Sequence, residues 1–231
     1  MTPTPVTLDP GELRPQPEAV ARYLAGADYQ LAPKMRQRIE AGIDAVGEMV
    51  KPLGAYRVVT VDQIRAGVDA VCSRGDPQAH WFDPANMPAP FLAVYLATLG
   101  GALDMACREM AQRHQFYQSM LLDAVGTAML DAVGAKMEIL VQTDARRRGL
   151  FAGCRMGPGL NGMALENQAL LFNLLDGAAM GVHLNDSYVM QPVKTISAVV
   201  PFDTVEKKEG LGWADKCSRC GMENCQFRSR R

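Results

Sequence analysis

The stretch Phe91-Leu-Ala-Val-Tyr-Leu-Ala-Thr98 is a short apolar run of the kind that forms a buried strand. A long stretch with a helical pattern follows it, from Ala102 to Val141, and predicts two helices broken near residues 114–118. Gly126 and Gly134 lie inside the second of these helices. Glycine at such positions indicates close packing rather than a break in the helix.

On either side of this stretch, the predicted helices and strands do not alternate in a regular order. Further helices are predicted over residues 18–25, 34–50 and 163–178, and strands over 56–61, at the start of 146–160 and within 187–200, where Pro192 interrupts the pattern. Helices outnumber strands. This arrangement favours an α+β fold over a doubly wound parallel sheet.

Three regions differ from the rest of the chain in composition. Residues 1–16 are rich in proline and are expected to be a flexible segment. Residues 73–90 are rich in glycine, proline and aspartate and predict a loop. Residues 203–231 form a polar tail. We therefore expect one domain over residues 17–202, followed by a cysteine-rich tail.

The overall composition excludes several classes of protein. The chain has 231 residues and a formal net charge of −1, with 48% hydrophobic and 21% charged residues. This hydrophobic fraction excludes disorder over most of the chain, and the near-zero charge argues against a nucleic-acid binder. The sequence contains no apolar run long enough to predict a membrane span, and its start does not resemble a signal peptide. We expect a cytoplasmic protein.

Three of the six cysteines lie close together, in the sequence Cys217-Ser-Arg-Cys220-Gly-Met-Glu-Asn-Cys225. The Cys-x2-Cys step lets two thiolates reach one metal centre, and Cys225 adds a third ligand. Three thiolates suit an iron–sulfur cluster, most simply 4Fe-4S, for which Cys154 is a candidate fourth ligand. Zinc is the alternative, and a tail of three unligated thiols is another.

A glycine-rich loop, Gly153-Cys-Arg155-Met-Gly157-Pro-Gly159-Leu-Asn-Gly162, is the second candidate site. Glycine permits a positive φ and a close approach of the backbone to a ligand. Arg155 has the planar fork that binds a carboxylate through two hydrogen bonds. The other interpretation of the loop is a tight connection between a strand and a helix.

This loop, the leucine-rich helix after it and the segment Asp186-Ser-Tyr188-Val-Met-Gln-Pro-Val-Lys-Thr-Ile-Ser197 resemble the activation domain of cobalamin-dependent methionine synthase. That family shows Arg-x-x-Pro-Gly-Tyr, a helix ending in Leu-Leu, and then Glu-Ser-Tyr/Phe-Ala-Met-x-Pro-x-x-Ser-x-Ser. Leu122-Asp-Ala-Val-Gly126 is similar to stand-alone homologues of the domain, some of which carry a cysteine tail. The resemblance extends over about residues 18–202 and is most specific from residue 153 to 200.

The resemblance implies an antiparallel sheet with helices packed around it, and S-adenosylmethionine as a ligand. By position, Arg155 matches the arginine that holds the carboxylate of S-adenosylmethionine, and Gly157 matches a residue whose backbone contacts it. Gly159, Leu160 and Tyr188 are the other expected binding positions.

Two positions depart from the family pattern. Leu160 replaces the tyrosine that follows Pro-Gly in the family. The acidic ligand on the long helix falls near Thr127, and Asp131, one turn further on, is the only acidic substitute. The chain also lacks the Asp-x-His-x-x-Gly signature of cobalamin binding, so any corrinoid is expected on a partner protein.

Three functions follow from these features. The first is an accessory protein that supports reductive activation of the cobalt of a corrinoid methyltransferase, through an iron–sulfur cluster and an electron donor of the flavodoxin or ferredoxin type. The second is a reactivase that binds S-adenosylmethionine. The third is a non-catalytic docking module for a corrinoid protein, with zinc or no metal on its tail. The sequence leaves open whether the chain is an enzyme in its own right.

Overall fold

The computed structural model describes residues 2–64, 89–153, 155–159 and 163–205. Its helices are α1 (Pro17–Ala25), α2 (Pro33–Met49), α3 (Ala102–Gln112), α4 (Phe116–Arg147) and α5 (Gln168–Leu175). Its strands are β1 (Thr4–Thr7), β2 (Leu53–Thr60), β3 (Phe91–Thr98), β4 (Phe151–Ala152), β5 (His183–Leu184), β6 (Met190–Gln191) and β7 (Thr195–Asp203).

Five of these strands form one sheet in the order β1-β2-β3-β7-β4, and every pairing in it is antiparallel. Strands β5 and β6 form a separate two-stranded sheet. The predicted α+β fold, an antiparallel sheet with helices around it, is therefore confirmed. The strand predicted from the apolar run is β3, in the centre of the five-stranded sheet.

Helices cover both faces of this sheet. On one face α4 packs against β3 and β7 and is itself flanked by α1, α2 and α3. On the other face α5 contacts β2, β3 and β7. Alternate residues of β3 consequently enter two different cores, with Tyr95 on the α4 side and Val94 on the α5 side. This explains why β3 is apolar along its length instead of alternating with polar residues.

Local sequence signals fix several helix ends. Pro17 and Pro33 are the first residues of α1 and α2, a position where the missing N–H has no helical partner to lose. The predicted break between the two long helices is confirmed, and His114 there has a φ of 60°. Gly126 packs closely as expected, because a Cβ on it would lie 2.3 Å from Leu103 Cδ2.

The N-terminal segment differs from the expected flexible one. Thr4–Thr7 pairs with β2 as an edge strand of the sheet, and Leu8 and Leu13 are buried in the α4-side core. Its proline content is compatible with this, since an edge strand tolerates a residue that cannot donate a hydrogen bond on its outer side. The boundary of the domain at residue 202 stays a prediction.

Two predicted elements have different limits in the structure. The strand expected near residue 146 begins only at Phe151, because α4 continues to Arg147, where arginine at a helix C-terminus is favourable. The helix expected over residues 163–178 has its α-helical part only at Gln168–Leu175, and Asp176, with a φ of 53°, ends it. The loop predicted over residues 73–90 lies almost wholly outside the described residues.

None of the helices in the described part of the chain combines the length and the apolarity that a membrane span requires.

Candidate ligand-binding site

One face of α4 carries acidic groups towards the interior of the protein. Asp131, Gly134 and Glu138 are three and four residues apart, so they follow one another along the same side of the helix. Gly134 and Glu138 are buried. Gly134 leaves room on this face, because a Cβ there would lie 3.0 Å from Arg155 Nη1 and 3.3 Å from Ile196 Cδ1.

Arg155 reaches this face of α4 from the loop that follows β4. The next residue, Met156, pairs with Val199 of β7 through two backbone hydrogen bonds of 2.8 Å, which fixes the start of the loop against the sheet. The Arg155 side chain is 7% exposed. Its Nη1 donates a hydrogen bond of 3.1 Å to Tyr95 Oη and lies 3.2 Å from Glu138 Oε1. The guanidinium is therefore held between the sheet and the long helix.

Burial changes the acidity of both groups that face the Arg155 guanidinium. Burial raises the pKa of the Glu138 carboxyl above its ordinary value, and the positive charge of Arg155 opposes that rise. Burial also raises the pKa of Tyr95 to about 12, again against the effect of Arg155. The Tyr95 phenol therefore stays protonated at neutral pH.

Asp131 holds the other end of this acidic face. The Tyr23 hydroxyl, from α1, donates a hydrogen bond to the Asp131 carboxylate. Burial raises the pKa of Asp131, while the hydrogen bond from Tyr23 and the charge of Arg155 lower it. Asp131 and Arg155 thus lie close enough to interact electrostatically. We call Tyr23, Tyr95, Asp131, Glu138 and Arg155 the charged cluster.

A groove of about 510 Å³ lies next to the charged cluster, between α1, α3 and α4. The Tyr23 side chain that contacts Asp131 also lines the groove, together with Leu24, Met120 and Thr127. Its size is within the range of small-molecule sites, and its lining combines apolar and polar groups. The groove therefore gives the cluster a neighbouring space of ligand size.

The segment that resembles the family motif is fixed to α4 by Lys194. The Lys194 ammonium lies 2.7 Å from Asp123 Oδ1 and donates a hydrogen bond of 2.9 Å to Thr127 Oγ1. Lys194 is buried, whereas the Asp123 side chain is 58% exposed. The alignment predicts an acidic ligand-binding residue near Thr127. In the structure, the Thr127 hydroxyl instead accepts a hydrogen bond from the Lys194 ammonium.

The predicted binding residues fall into two separate places. Gly157 is buried, and Gly159 has a φ of 79° and donates its N–H to Met163 O, so both belong to the loop that begins at Arg155. Tyr188 instead lies in the connection between β5 and β6, where its N–H donates to Asn185 O. Leu160 lies outside the described residues. The assignment of these residues to ligand binding stays a prediction.

The predicted metal ligands Cys154, Cys217, Cys220 and Cys225 all lie outside the described residues. Within residues 2–64, 89–153, 155–159 and 163–205, no group of three or more histidine, cysteine, aspartate or glutamate side chains is arranged to hold a metal. The structure thus neither adds a metal site in the described part nor tests the cysteine motif.

Sequence reasoning missed three members of the charged cluster, namely Tyr23, Tyr95 and Glu138. One signal for Glu138 is its place in the apolar sequence Met137-Glu-Ile-Leu-Val141, where a lone charge needs a partner. The sequence predicts Gly134 as a packing position, but its neighbour Arg155 is remote in sequence. The contact between Gly134 and Arg155 forms only in the tertiary fold, so a sequence pattern does not reveal it.

We compared the sequence and the fold with known proteins. No protein-family model and no curated protein matches the sequence. Among solved structures, the chain is similar to the MetH reactivation domain bound to AdoHcy, with a TM-score of 0.65 and 14% sequence identity. The match covers 95% of this chain and 85% of that chain. The chain has the fold of the MetH reactivation domain. The resemblance predicted from the sequence is thereby confirmed for the fold.

Proposed function

We propose that this chain is an accessory protein of a corrinoid methyltransferase system, which supports reactivation of the cobalt of a partner protein and binds an S-adenosyl amino acid. The fold of the MetH reactivation domain, over 95% of the chain, supports the first part. The position of Arg155 carries the second part, because the arginine that the family resemblance assigns to a ligand carboxylate lies in the charged cluster.

The chemistry of the charged cluster suits the head group of an α-amino acid. Arg155 is a bidentate donor for a carboxylate. Asp131 is an acceptor for an ammonium group, and it lies within electrostatic reach of Arg155. The neighbouring groove of about 510 Å³ has the volume for the rest of such a ligand. AdoHcy, the compound bound to the MetH reactivation domain, has this head group.

Formation of methylcobalamin tests this function. The protein is mixed without air with cob(II)alamin, titanium(III) citrate as reductant and S-adenosylmethionine as methyl donor. One electron reduces Co(II) to Co(I), and Co(I) then takes the methyl group and releases S-adenosylhomocysteine. We expect the protein to accelerate the appearance of methylcobalamin, as followed by its absorption spectrum. Equal rates with and without the protein would contradict the proposal.

The matched variants for this assay are Arg155→Lys and Arg146→Lys. Lysine keeps the positive charge beside Glu138 but loses the planar fork, so Arg155→Lys is expected to lose most of the acceleration. Arg146 is exposed at the end of α4, and its replacement is expected to change nothing. If both variants match the original protein, Arg155 is not the ligand-binding arginine.

A second proposal concerns the tail and rests on the spacing of Cys217, Cys220 and Cys225. We propose that they hold an iron–sulfur cluster that passes one electron to the cobalt and is reduced again by a flavodoxin- or ferredoxin-type donor. Analysis of iron, sulfide and zinc in protein purified without air tests this. Iron and sulfide that are lost in Cys217→Ser would support a cluster. One zinc and no iron would make the tail structural and favour a docking module.

A further inference from the structure

Arg155 crosses α4 at Gly134, where even a Cβ would make a tight contact with its guanidinium. A Cβ on residue 134 would lie 3.0 Å from Arg155 Nη1 and 3.3 Å from Ile196 Cδ1, so any larger residue forces the guanidinium or the isoleucine to move. Glycine in the interior of a helix lowers its stability by about 1 kcal/mol relative to alanine. Gly134 therefore gives up helix stability and leaves the space in which the guanidinium lies.

Glu138 supplies the charge at the far side of that space. Both side chains of the pair are almost fully buried, with 7% of Arg155 and 11% of Glu138 exposed. Glu138 Oε1 lies 3.2 Å from Nη1, yet this oxygen accepts no hydrogen bond from any residue in the described part of the chain. The attraction between the two charges is therefore not reinforced by a well-directed hydrogen bond.

A buried ion pair of this kind contributes little to the stability of the fold. Removing two charges from water costs several kcal/mol, and the attraction offsets this only when geometry and additional hydrogen bonds are good. An apolar pair of similar volume often gives an equal or higher stability. The orientation that the pair gives to the guanidinium is then the better explanation for a carboxylate at position 138.

We propose that Glu138 is a positioning residue for Arg155, and that it holds the guanidinium over Gly134 in the orientation that receives the carboxylate of the ligand. The inference rests on the proposed binding of an S-adenosyl amino acid. Tyr95 Oη, at 3.1 Å, fixes the same Nη1 from the side of the sheet. Two fixed partners from different elements restrict both the direction and the rotation of a side chain that otherwise has many rotamers.

The test compares Glu138→Gln with Glu109→Gln, an exposed glutamate on α3. Isothermal titration calorimetry with AdoHcy is expected to give a Kd about tenfold higher for Glu138→Gln than for the original protein, which corresponds to about 1.4 kcal/mol. Glu109→Gln is expected to leave the Kd unchanged. Glu138→Gln leaves the buried guanidinium without its anion, so its temperature of half-unfolding is expected to fall. The titrations are therefore run at a temperature at which both variants are fully folded, so that a change in Kd reports positioning and not stability.

A second measurement needs no ligand. In ¹⁵N-edited NMR spectra, a guanidinium held by two partners gives N–H signals that exchange slowly with water, and the Arg155 signals are assigned by their loss in Arg155→Lys. We expect these signals to broaden or vanish in Glu138→Gln. Unchanged Arg155 signals in that variant would overturn the proposal without reference to any ligand.

The pair Gly134→Ala and Gly47→Ala keeps the proposal testable if Glu138→Gln does not fold. A Cβ on Gly47, inside α2, meets no atom within 4 Å, so that variant keeps its affinity for AdoHcy. In Gly134→Ala the new Cβ would lie 3.0 Å from Nη1, so we expect the guanidinium to shift and the affinity to fall. Binding by the original protein with unchanged affinity in both Glu138→Gln and Gly134→Ala overturns only the positioning role. Absence of binding by the original protein overturns the proposed function, and this inference with it.

Discussion

Two basic side chains cross α4, each next to a glycine, and the two crossings differ in their access to water. Lys194 crosses at Gly126, where a Cβ would lie 3.3 Å from its Cε, and it pairs with Asp123, whose side chain is 58% exposed. Arg155 crosses at Gly134 and pairs with Glu138, whose side chain is 11% exposed. We therefore expect the two ion pairs to contribute differently to the free energy of unfolding.

The expected difference depends on whether water can replace one member of the ion pair when that member is removed. Water can take the place of the Asp123 carboxylate, so the loss of that group costs little. Water does not reach Glu138 in the same way, so the loss of Arg155 leaves a buried charge without compensation. The crossing at Gly126 attaches the family-like segment to the helix, whereas the crossing at Gly134 holds a buried guanidinium between the helix and the sheet.

The largest effect is expected from Arg155→Met. It leaves the Glu138 carboxylate buried without its cation, and breaking such a pair costs about 3–5 kcal/mol in the free energy of unfolding. Because burial raises the pKa of Glu138 in the folded state, the folded protein binds the proton more readily than the unfolded chain. The loss should therefore shrink as the pH falls from 7 towards the ordinary value of 4.5. Urea unfolding at several pH values measures it.

The control for this prediction is the double variant Arg155→Met with Glu138→Met. It replaces both charges by apolar groups and is expected to recover most of the lost stability. A loss that does not change with pH, or a double variant as unstable as the single one, would show that the pair is not an isolated buried ion pair.

The next effect is expected from Gly126→Ala. The added Cβ would lie 2.3 Å from Leu103 Cδ2, and overpacking of this kind costs about 1–3 kcal/mol. Gly47→Ala, where a Cβ meets nothing within 4 Å, should instead gain about 0.5–1 kcal/mol from helix propensity. Thermal unfolding of the two variants gives shifts of opposite sign. Shifts of the same sign would mean that α3 moves away from α4 without cost.

These predictions separate what the sequence determines from what it does not. The limits of β3 follow from its apolar run, and the break after Gln112 follows from the change of pattern, because both depend on neighbours in the chain. The contact of Gly134 with Arg155 joins an interior helix position to a loop, and nothing local indicates the partner. Only the packing of α4 on the sheet brings them together.

The limits that sequence reasoning placed wrongly have the same cause. The helix expected over residues 163–178 is shorter, because Asp176 takes a left-handed conformation and the Phe172 ring packs where a Cβ on Gly177 would lie. The proline content of residues 1–16 hides an edge strand, because Leu8 and Leu13 find a core that other elements build.

A smaller effect is expected from Tyr95→Phe. It removes the acceptor of the 3.1 Å hydrogen bond from Arg155 Nη1 and keeps the ring in the core. A hydrogen bond from a charged donor contributes about 1.5–3 kcal/mol, and we expect a loss near the lower end of this range. Urea unfolding should show that loss, in contrast to Tyr29→Phe, at a tyrosine that is 41% exposed. An equal stability of both variants would mean that Glu138 alone holds the guanidinium.

The smallest effect is expected from Asp123→Asn. Lys194 is buried but the Asp123 side chain is 58% exposed, so water can replace the carboxylate; the loss is expected to be about 1 kcal/mol and to shrink only in part as salt screens the pair. Unfolding at low and high salt measures this contribution. A loss as large as that of Arg155→Met would remove the distinction between the two crossings.

A crystal structure of the protein with AdoHcy would show whether Arg155 receives the carboxylate of an S-adenosyl amino acid, as we propose. We expect the ligand carboxylate within hydrogen-bond distance of the Arg155 guanidinium, with Glu138 still beside Nη1. A complex in which AdoHcy lies away from Arg155, or crystals that take up no AdoHcy at saturating concentration, would contradict it.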